Sequence, residues 1–188
     1  MKRAIVLLVL TAAHAALLAA ADKMIFTGFS VAYQTMLSPS SIKSASTNIY
    51  DTVSIDGVVG ATIIPWVDVY AGLGFSIFIV TNDVQQYFSF LPLYAGVAVN
   101  PLPNWTFRPQ VFAEAGIAFN NRHNHVGTTH SDISWNGFFT SVGAAVCYEF
   151  VNNSILSLRA ALSFYPKPDF LADGFMALKI GFGWRNYF

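Results

Sequence analysis

The chain holds one cysteine, Cys147, in 188 residues. An internal disulfide is therefore excluded, and with it the stapled architecture of many small secreted domains. Charge is also scarce. Asp, Glu, Lys and Arg make up 11% of the residues, against roughly 25% in a typical soluble domain. Ten basic residues balance ten acidic ones, so no basic excess points to nucleic acid, and no nucleic-acid partner is expected. Beyond the first 21 residues the chain also lacks the ~20 continuous apolar residues that a membrane-spanning helix needs. Yet 54% of the residues are hydrophobic and 15% aromatic, with 17 phenylalanines. A chain so apolar on average, but never for long, can cross a bilayer as a closed β-barrel. An open sheet edge would leave backbone groups unpaired in lipid.

The first residues read MKRAIVLLVLTAAHAALLAAADK. Lys2 and Arg3 form a positive start, residues 4–13 an apolar core, and Ala19 and Ala21 a small-x-small site before Asp22. The pattern predicts a secretory signal peptide over 1–21, cleaved to leave one domain over 22–188. His14 interrupts the apolar run and argues against a helical anchor. Lipidation would require a cysteine at the cleavage site, and none is there. Removing Lys2 and Arg3 from the 10 basic residues leaves 8 against 10 acidic ones, a formal charge of −2.

What the chain does contain is alternation. In the final segment Leu178, Ile180, Phe182, Trp184 and Phe188 share one parity with Asn186, while Lys179, Gly181, Gly183 and Arg185 hold the other. Similar alternation predicts strands at about 24–36, 51–64, 67–80, 87–99, 105–119, 135–150, 155–165 and 174–188. Strands one to three offer Phe29, Val31, Tyr33, Val53, Ile55, Val59, Ala61, Leu73 and Phe75 to one face. Strands four to seven add Leu91, Val97, Val111, Val142, Val146, Leu156, Leu158 and Leu162. The opposite parity carries small, polar and charged residues. This is a barrel with its apolar face outward. Connections near Pro65-Trp66, 100–104 and 151–154 are short, and those at 37–50, 81–86, 120–134 and 166–173 are mostly longer. The expected fold class is all-β: an eight-stranded antiparallel transmembrane β-barrel with short periplasmic turns, longer extracellular loops and both termini periplasmic. Trp66, Tyr70, Trp105, Tyr148, Phe150, Trp184 and Phe188 lie toward strand ends, where aromatic girdles would place those facing lipid.

The signal peptide, eight alternating strands and terminal Phe188 resemble the small bacterial outer-membrane barrels of the OmpA transmembrane-domain, OmpX and OmpW types. The resemblance covers the whole mature chain and is architectural. It implies residence in the outer membrane, contact with outer-membrane lipids, and handling by the barrel assembly machinery, with Phe188 as the closing and assembly signal. It also implies a choice of roles: envelope bracing, adhesion to a host or surface ligand through the outer loops, or passage of small hydrophobic molecules. A shared fold does not decide among them.

The inward parity predicts eight lumen charges: Asp56, Asp68, Arg108, Glu114, Glu149, Arg159, Lys179 and Arg185. Four acids and four bases in a narrow interior are expected to pair. Adjacent strands suggest two pairs: Arg108 with Glu149, both near the periplasmic ends of strands five and six, and Glu149 with Arg159, near the turn between strands six and seven. At eight strands the interior is just wide enough for side chains to fill, which favours a bracing network over a conducting path. A narrow channel for apolar molecules would use Phe88, Phe90 and Phe112 as lining.

The third outer connection contains His123, His125, His130 and Asp132, a donor set suited to zinc or copper though matching no specific metal motif. A solvated polar loop is the plainer reading. No cofactor is expected. A lipid-modifying enzyme would need a serine and histidine in mutual reach. His130-Ser131, adjacent on a strand, would face opposite ways, leaving Ser131 and Ser134 as partners only in a folded loop. The favoured reading is a non-enzymatic surface barrel. The first outer connection is rich in hydroxyls, and Phe170 and Leu171 in the fourth are candidate apolar contacts.

Overall fold

The computed structural model describes residues 24–38, 51–82, 84–126, 129–151, 153–167 and 174–188. The leader, its cleavage site, most of the first and fourth outer connections, Phe170 and Leu171 lie outside the described residues. Eight strands follow in chain order: β1 Ile25–Ser38, β2 Thr52–Ile64, β3 Val67–Asn82, β4 Val84–Val99, β5 Phe107–Val126, β6 Thr129–Val151, β7 Ser154–Tyr165 and β8 Phe175–Tyr187. Each pairs antiparallel with its sequence neighbours, and β8 returns to β1 to close the barrel. Closure gives the strands partners on both sides through the spanning region, which is what a bilayer demands of the backbone.

The two faces follow parity through every strand. Phe29, Val53, Ile55, Leu73, Phe75, Val111, Val142, Val146, Leu158 and Phe182 are exposed on the outside. Ser30, Gln34, Ser54, Asp56, Asp68, Ser76, Gln110, Glu114, Ser141, Ser157, Ser163, Lys179 and Arg185 are buried within. A soluble protein does the reverse. Ala61 has outward parity but is buried, because its register partners Ile25 and Val69 are both larger.

The end of the barrel with the short turns carries an outward aromatic belt. Trp66, Trp105, Phe107, Tyr148, Phe150, Trp184 and Phe188 are all exposed. Phe107 stacks on Tyr148 at 5.2 Å, and Trp184 meets Phe150 edge-on at 5.6 Å. Tyr70, from the same chain-end group, instead faces the lumen and is buried. Closure is sealed here by the Phe188 N–H, which donates to the Ile25 carbonyl at 2.8 Å. In the turn between β6 and β7, Asn153 takes a φ of 68°, a left-handed conformation that asparagine tolerates better than most residues.

At the opposite end the strands run further than apolar alternation suggests. Residues 81–86 and 120–134, expected as loops, are largely strand. Asn82 pairs with Val84, and β5 pairs with β6 up to Val126 opposite Thr129. β5 and β6 therefore have 20 and 23 residues, where about 9–11 cross a membrane. The excess forms a hairpin beyond the lipid, with β3 and β4 beside part of it. A backbone ladder needs no apolar face, so alternation stops at the bilayer while pairing continues.

Glycines facing the lumen of β3 and β4 make room for tyrosines. Gly72 is the register partner of Tyr94, and Gly96 of Tyr70. A Cβ at Gly72 would lie 2.5 Å from the Tyr94 ring, and one at Gly96 would lie 2.5 Å from the Tyr70 ring. Gly72→Val is expected to cost about 1–3 kcal/mol through overpacking, read as a lower urea midpoint for the refolded barrel. An unchanged midpoint would mean that Tyr94 has somewhere else to go.

Candidate functional site: the lumen and the projecting hairpin

The lumen is layered along the barrel axis. At the short-turn end a cavity of about 530 Å³ opens between the turns and is lined by Asp68, Asn100, Arg108, Gln110, Cys147, Glu149, Arg185 and Tyr187, among others. Arg108 and Glu149 form a partly exposed ion pair in its wall. Deeper in, Arg185 donates to Asp68 at 3.0 Å and to the Gln110 side-chain oxygen at 3.2 Å. Asp68 also accepts from the Thr62 hydroxyl at 2.7 Å and from Asn100 at 3.4 Å. The guanidinium of Arg185 lies 5.0 Å from the Phe26 ring centre. This array gives a desolvated cation both a counter-charge and neutral acceptors, which is what makes its burial tolerable.

Two further pairs cross the middle of the barrel. Arg159 donates to Glu114 at 3.2 Å and packs 4.4 Å from the Phe112 ring centre. The Tyr70 hydroxyl donates to the same Glu114 oxygen at 2.9 Å. Lys179 lies 3.4 Å from Asp56. The eight inward charges thus form four pairs. The pairing of Glu149 with Arg159 suggested by adjacent strands does not occur. Glu149 sits opposite Ile155 in the register and Arg159 opposite Ala145. Four residues of strand separate them, about 13 Å, so Arg159 reaches across the lumen to β5 instead.

Beyond these pairs the lumen becomes aromatic. Phe78, Phe88, Phe90, Phe139, Tyr165 and Phe175 are buried, each under 5% exposed. Phe90 contacts Phe78, Tyr165 and Phe175 at ring-centre distances of 5.6, 4.6 and 5.1 Å. Trp135 stacks on Phe175 at 6.0 Å, and its indole N–H donates to the Pro166 carbonyl at 3.0 Å. Phe88, Phe90 and Phe112, the candidate lining of an apolar channel, are 4%, 0% and 5% exposed. Phe88 and Phe90 belong to the aromatic layer, Phe112 borders a small cavity of about 30 Å³ beside Arg159 and Glu114, and the cavity of about 530 Å³ lies at the short-turn end. The channel reading requires open space on the loop side, and among the described residues these side chains are buried rather than set around such a space. Sequence reasoning misses this aromatic layer. Its signal is the shared inward parity of Phe88, Phe90 and Tyr94, which reads as lining as readily as filling.

The hairpin beyond the aromatic layer carries the candidate metal ligands. The register sets His123 opposite Asp132 and His125 opposite His130. His123 Nδ1 lies 3.0 Å from an Asp132 carboxylate oxygen, and the imidazole stacks on Tyr87 at 4.3 Å. The side chains of His125 and His130 lie outside the described residues. Among the described residues no group of three or more His, Cys, Asp or Glu gathers as a metal site. Ser131 and Ser134 are exposed and stand opposite Asn124 and Asn121. Cys147 is buried in the cavity wall.

No protein-family model matches the sequence, and no curated protein matches it as a relative. Solved structures do match in fold. A major outer membrane protein from Thermus thermophilus superposes with a TM-score of 0.63 at 12% identity, covering 88% of this chain and 99% of that one. Neisserial surface protein A gives 0.61 at 13% identity, over 88% and 97%. Ail, the attachment invasion locus protein of Yersinia pestis, gives 0.55 at 9% identity, over 87% and 97%. At such identities the likeness concerns the fold. This chain is an all-β, eight-stranded closed antiparallel barrel that matches the small bacterial outer-membrane barrel proteins.

Proposed function

We propose that the protein is a non-enzymatic barrel of the bacterial outer membrane that braces the envelope and presents a protruding hairpin to the surroundings. The observation that carries this is the filled lumen. The polar cavity open at the short-turn end runs into cross-barrel ion pairs and then into packed phenylalanines. A path for solute would have to break buried ion pairs, whose loss of a partner costs about 3–5 kcal/mol each, and also displace the aromatic layer. Both termini and the short turns belong on the periplasmic side, where outer-membrane barrels keep their short connections. Outer-membrane lipids are the partners of the exposed belt. The barrel assembly machinery is the partner of the closing strand ending in Phe188.

The extended β5–β6 hairpin places polar and aromatic side chains beyond the lipid, the position from which a barrel meets a host or surface ligand. Ail's description as an attachment protein, and a crystal structure of it with a heparin analogue, make attachment the role to test for this hairpin. The lumen claim is tested by planar-bilayer recordings on the mature chain, refolded and shown to be folded by heat-sensitive gel mobility. No discrete conductance steps are expected. Reproducible unitary channels would overturn the bracing role and point to transport.

A further inference from the structure

The outward face of the barrel changes character within one pleat on three neighbouring strands. Moving away from the short turns, the change runs from Leu91 to Ser89 on β4, from Phe119 to Asn121 on β5, and from Phe138 to Asn136 on β6. Below it Leu91, Phe119 and Phe138 are 38%, 42% and 69% exposed, so the surface offered to acyl chains reaches this line. Above it the register sets out two polar rows. Ser89, Asn121 and Ser134 form the first, and Tyr87, His123 and Asp132 the second. All six share the outward parity of their strands. They cover about 10 Å across the strands and about 7 Å along them.

Contacts within the face hold its second row in place. The His123 ring stacks on Tyr87 at 4.3 Å, and its Nδ1 lies 3.0 Å from one Asp132 oxygen. Tyr87 keeps 38% of its surface exposed and the Asp132 side chain 62%, so a ring and a carboxylate oxygen are left facing outward. The hydroxyl and amide groups of Ser89, Asn121 and Ser134 can both donate and accept. The Asp132 carboxylate accepts strongly from hydroxyls. Neither row holds a Lys or Arg, the groups that would receive a phosphate. A headgroup suited to this face is therefore rich in hydroxyls rather than phosphate, which is the chemistry of a sugar. Tyrosine, with an apolar body and a polar tip, is a residue that membrane proteins place at headgroup level.

We propose that this face holds the sugar headgroup of one glycolipid of the outer leaflet. The acyl chains of that lipid lie on Leu91, Phe119 and Phe138 and carry its headgroup onto the two polar rows directly above. This continuity selects a lipid-borne sugar over a soluble one. A free sugar meets only a shallow polar face, whereas the lipid buries apolar area as well. The inference rests on the proposed contact with outer-membrane lipids and names the lipid class. It is independent of whether the lumen conducts.

The test is native mass spectrometry of the refolded full-length mature chain, released from micelles doped with diglucosyl diacylglycerol or with phosphatidylcholine of the same acyl chains. One diglucosyl diacylglycerol per folded chain is expected, retained roughly tenfold more than phosphatidylcholine, about 1.4 kcal/mol. Tyr87→Ala and Asp132→Ala should each lose most of that preference while keeping the heat-sensitive mobility of the folded barrel. Tyr33→Ala removes an exposed tyrosine from β1, on the opposite wall of the barrel, and should keep the preference. The free disaccharide headgroup should not displace the lipid. Equal retention of both lipids by the wild type, an unchanged preference in the Tyr87 and Asp132 variants, an equal loss in Tyr33→Ala, or displacement by the free disaccharide would overturn the glycolipid site. A folded wild-type chain that retains neither lipid would contradict the lipid contact on which the site rests.

Discussion

Replacing Asp68 by Ala is expected to destabilise the folded barrel by about 3–5 kcal/mol, the range for removing one partner of a buried ion pair. The loss is large because Arg185 remains. It is 7% exposed and would keep the Gln110 oxygen at 3.2 Å but lose its counter-charge. Thr62, Asn100 and Gln110, which all donate to Asp68, would lose an acceptor as well. Both charged residues line the cavity at the short-turn end. Water entering there can hydrate part of the stranded guanidinium, so the lower end of the range is the expected outcome. Asp68→Asn should cost less, since it keeps an acceptor for Arg185. The measurement is urea unfolding of each refolded variant in lipid vesicles, followed by tryptophan fluorescence. Asp132→Ala on the exposed hairpin is the control, with an expected loss of about 0–1 kcal/mol. An Asp68→Ala loss as small as that of the control would mean that the lumen pairs do not brace the barrel.

Leu158→Arg is expected to cost about 2–4 kcal/mol, the penalty for a cation on the lipid face near the bilayer midplane. Leu158 lies near the middle of β7, is 52% exposed and neighbours Val146 and Phe182 across the ladder. Its sequence neighbour Arg159 shows the contrast. One residue along the strand the side chain turns inward, where Glu114 and the Phe112 ring receive a guanidinium. The same chemical group is therefore stabilised at 159 and penalised at 158, and only the face differs. The readout is the fraction of chain that inserts into preformed vesicles and acquires heat-sensitive gel mobility. Normal insertion of the variant would break the face assignment.

How far the sequence carries the structure depends on which force shapes each part. Within the membrane, lipid enforces a strict apolar parity. Strands such as β7, expected at 155–165 and found at Ser154–Tyr165, are legible almost to the residue. Beyond the membrane that force is absent. Residues 120–134 read as a loop because Asn, Arg, His and Ser carry no alternation, yet hydrogen bonding continues the ladder through them. Inside the lumen, parity tells which side chains point inward but not which meet. Barrel closure brings Arg185 to Asp68 across 117 residues of sequence and Lys179 to Asp56 across 123. The adjacency of strands six and seven instead suggests Glu149 for Arg159. The aromatic layer is hidden for the same reason, since Phe90, Tyr165 and Phe175 come from three strands that meet only in the closed barrel.

The central claim is the inverted barrel itself. Its most direct test is a cysteine scan of residues 155–162 on β7 in a Cys147→Ser background, each variant carrying a fluorophore and refolded into vesicles of lipids brominated along the acyl chains. Lipid outside and side chains within predict quenching with a period of two, strong at 156, 158, 160 and 162 and weak at 155, 157, 159 and 161. Uniform quenching, or quenching of the opposite set, would contradict it.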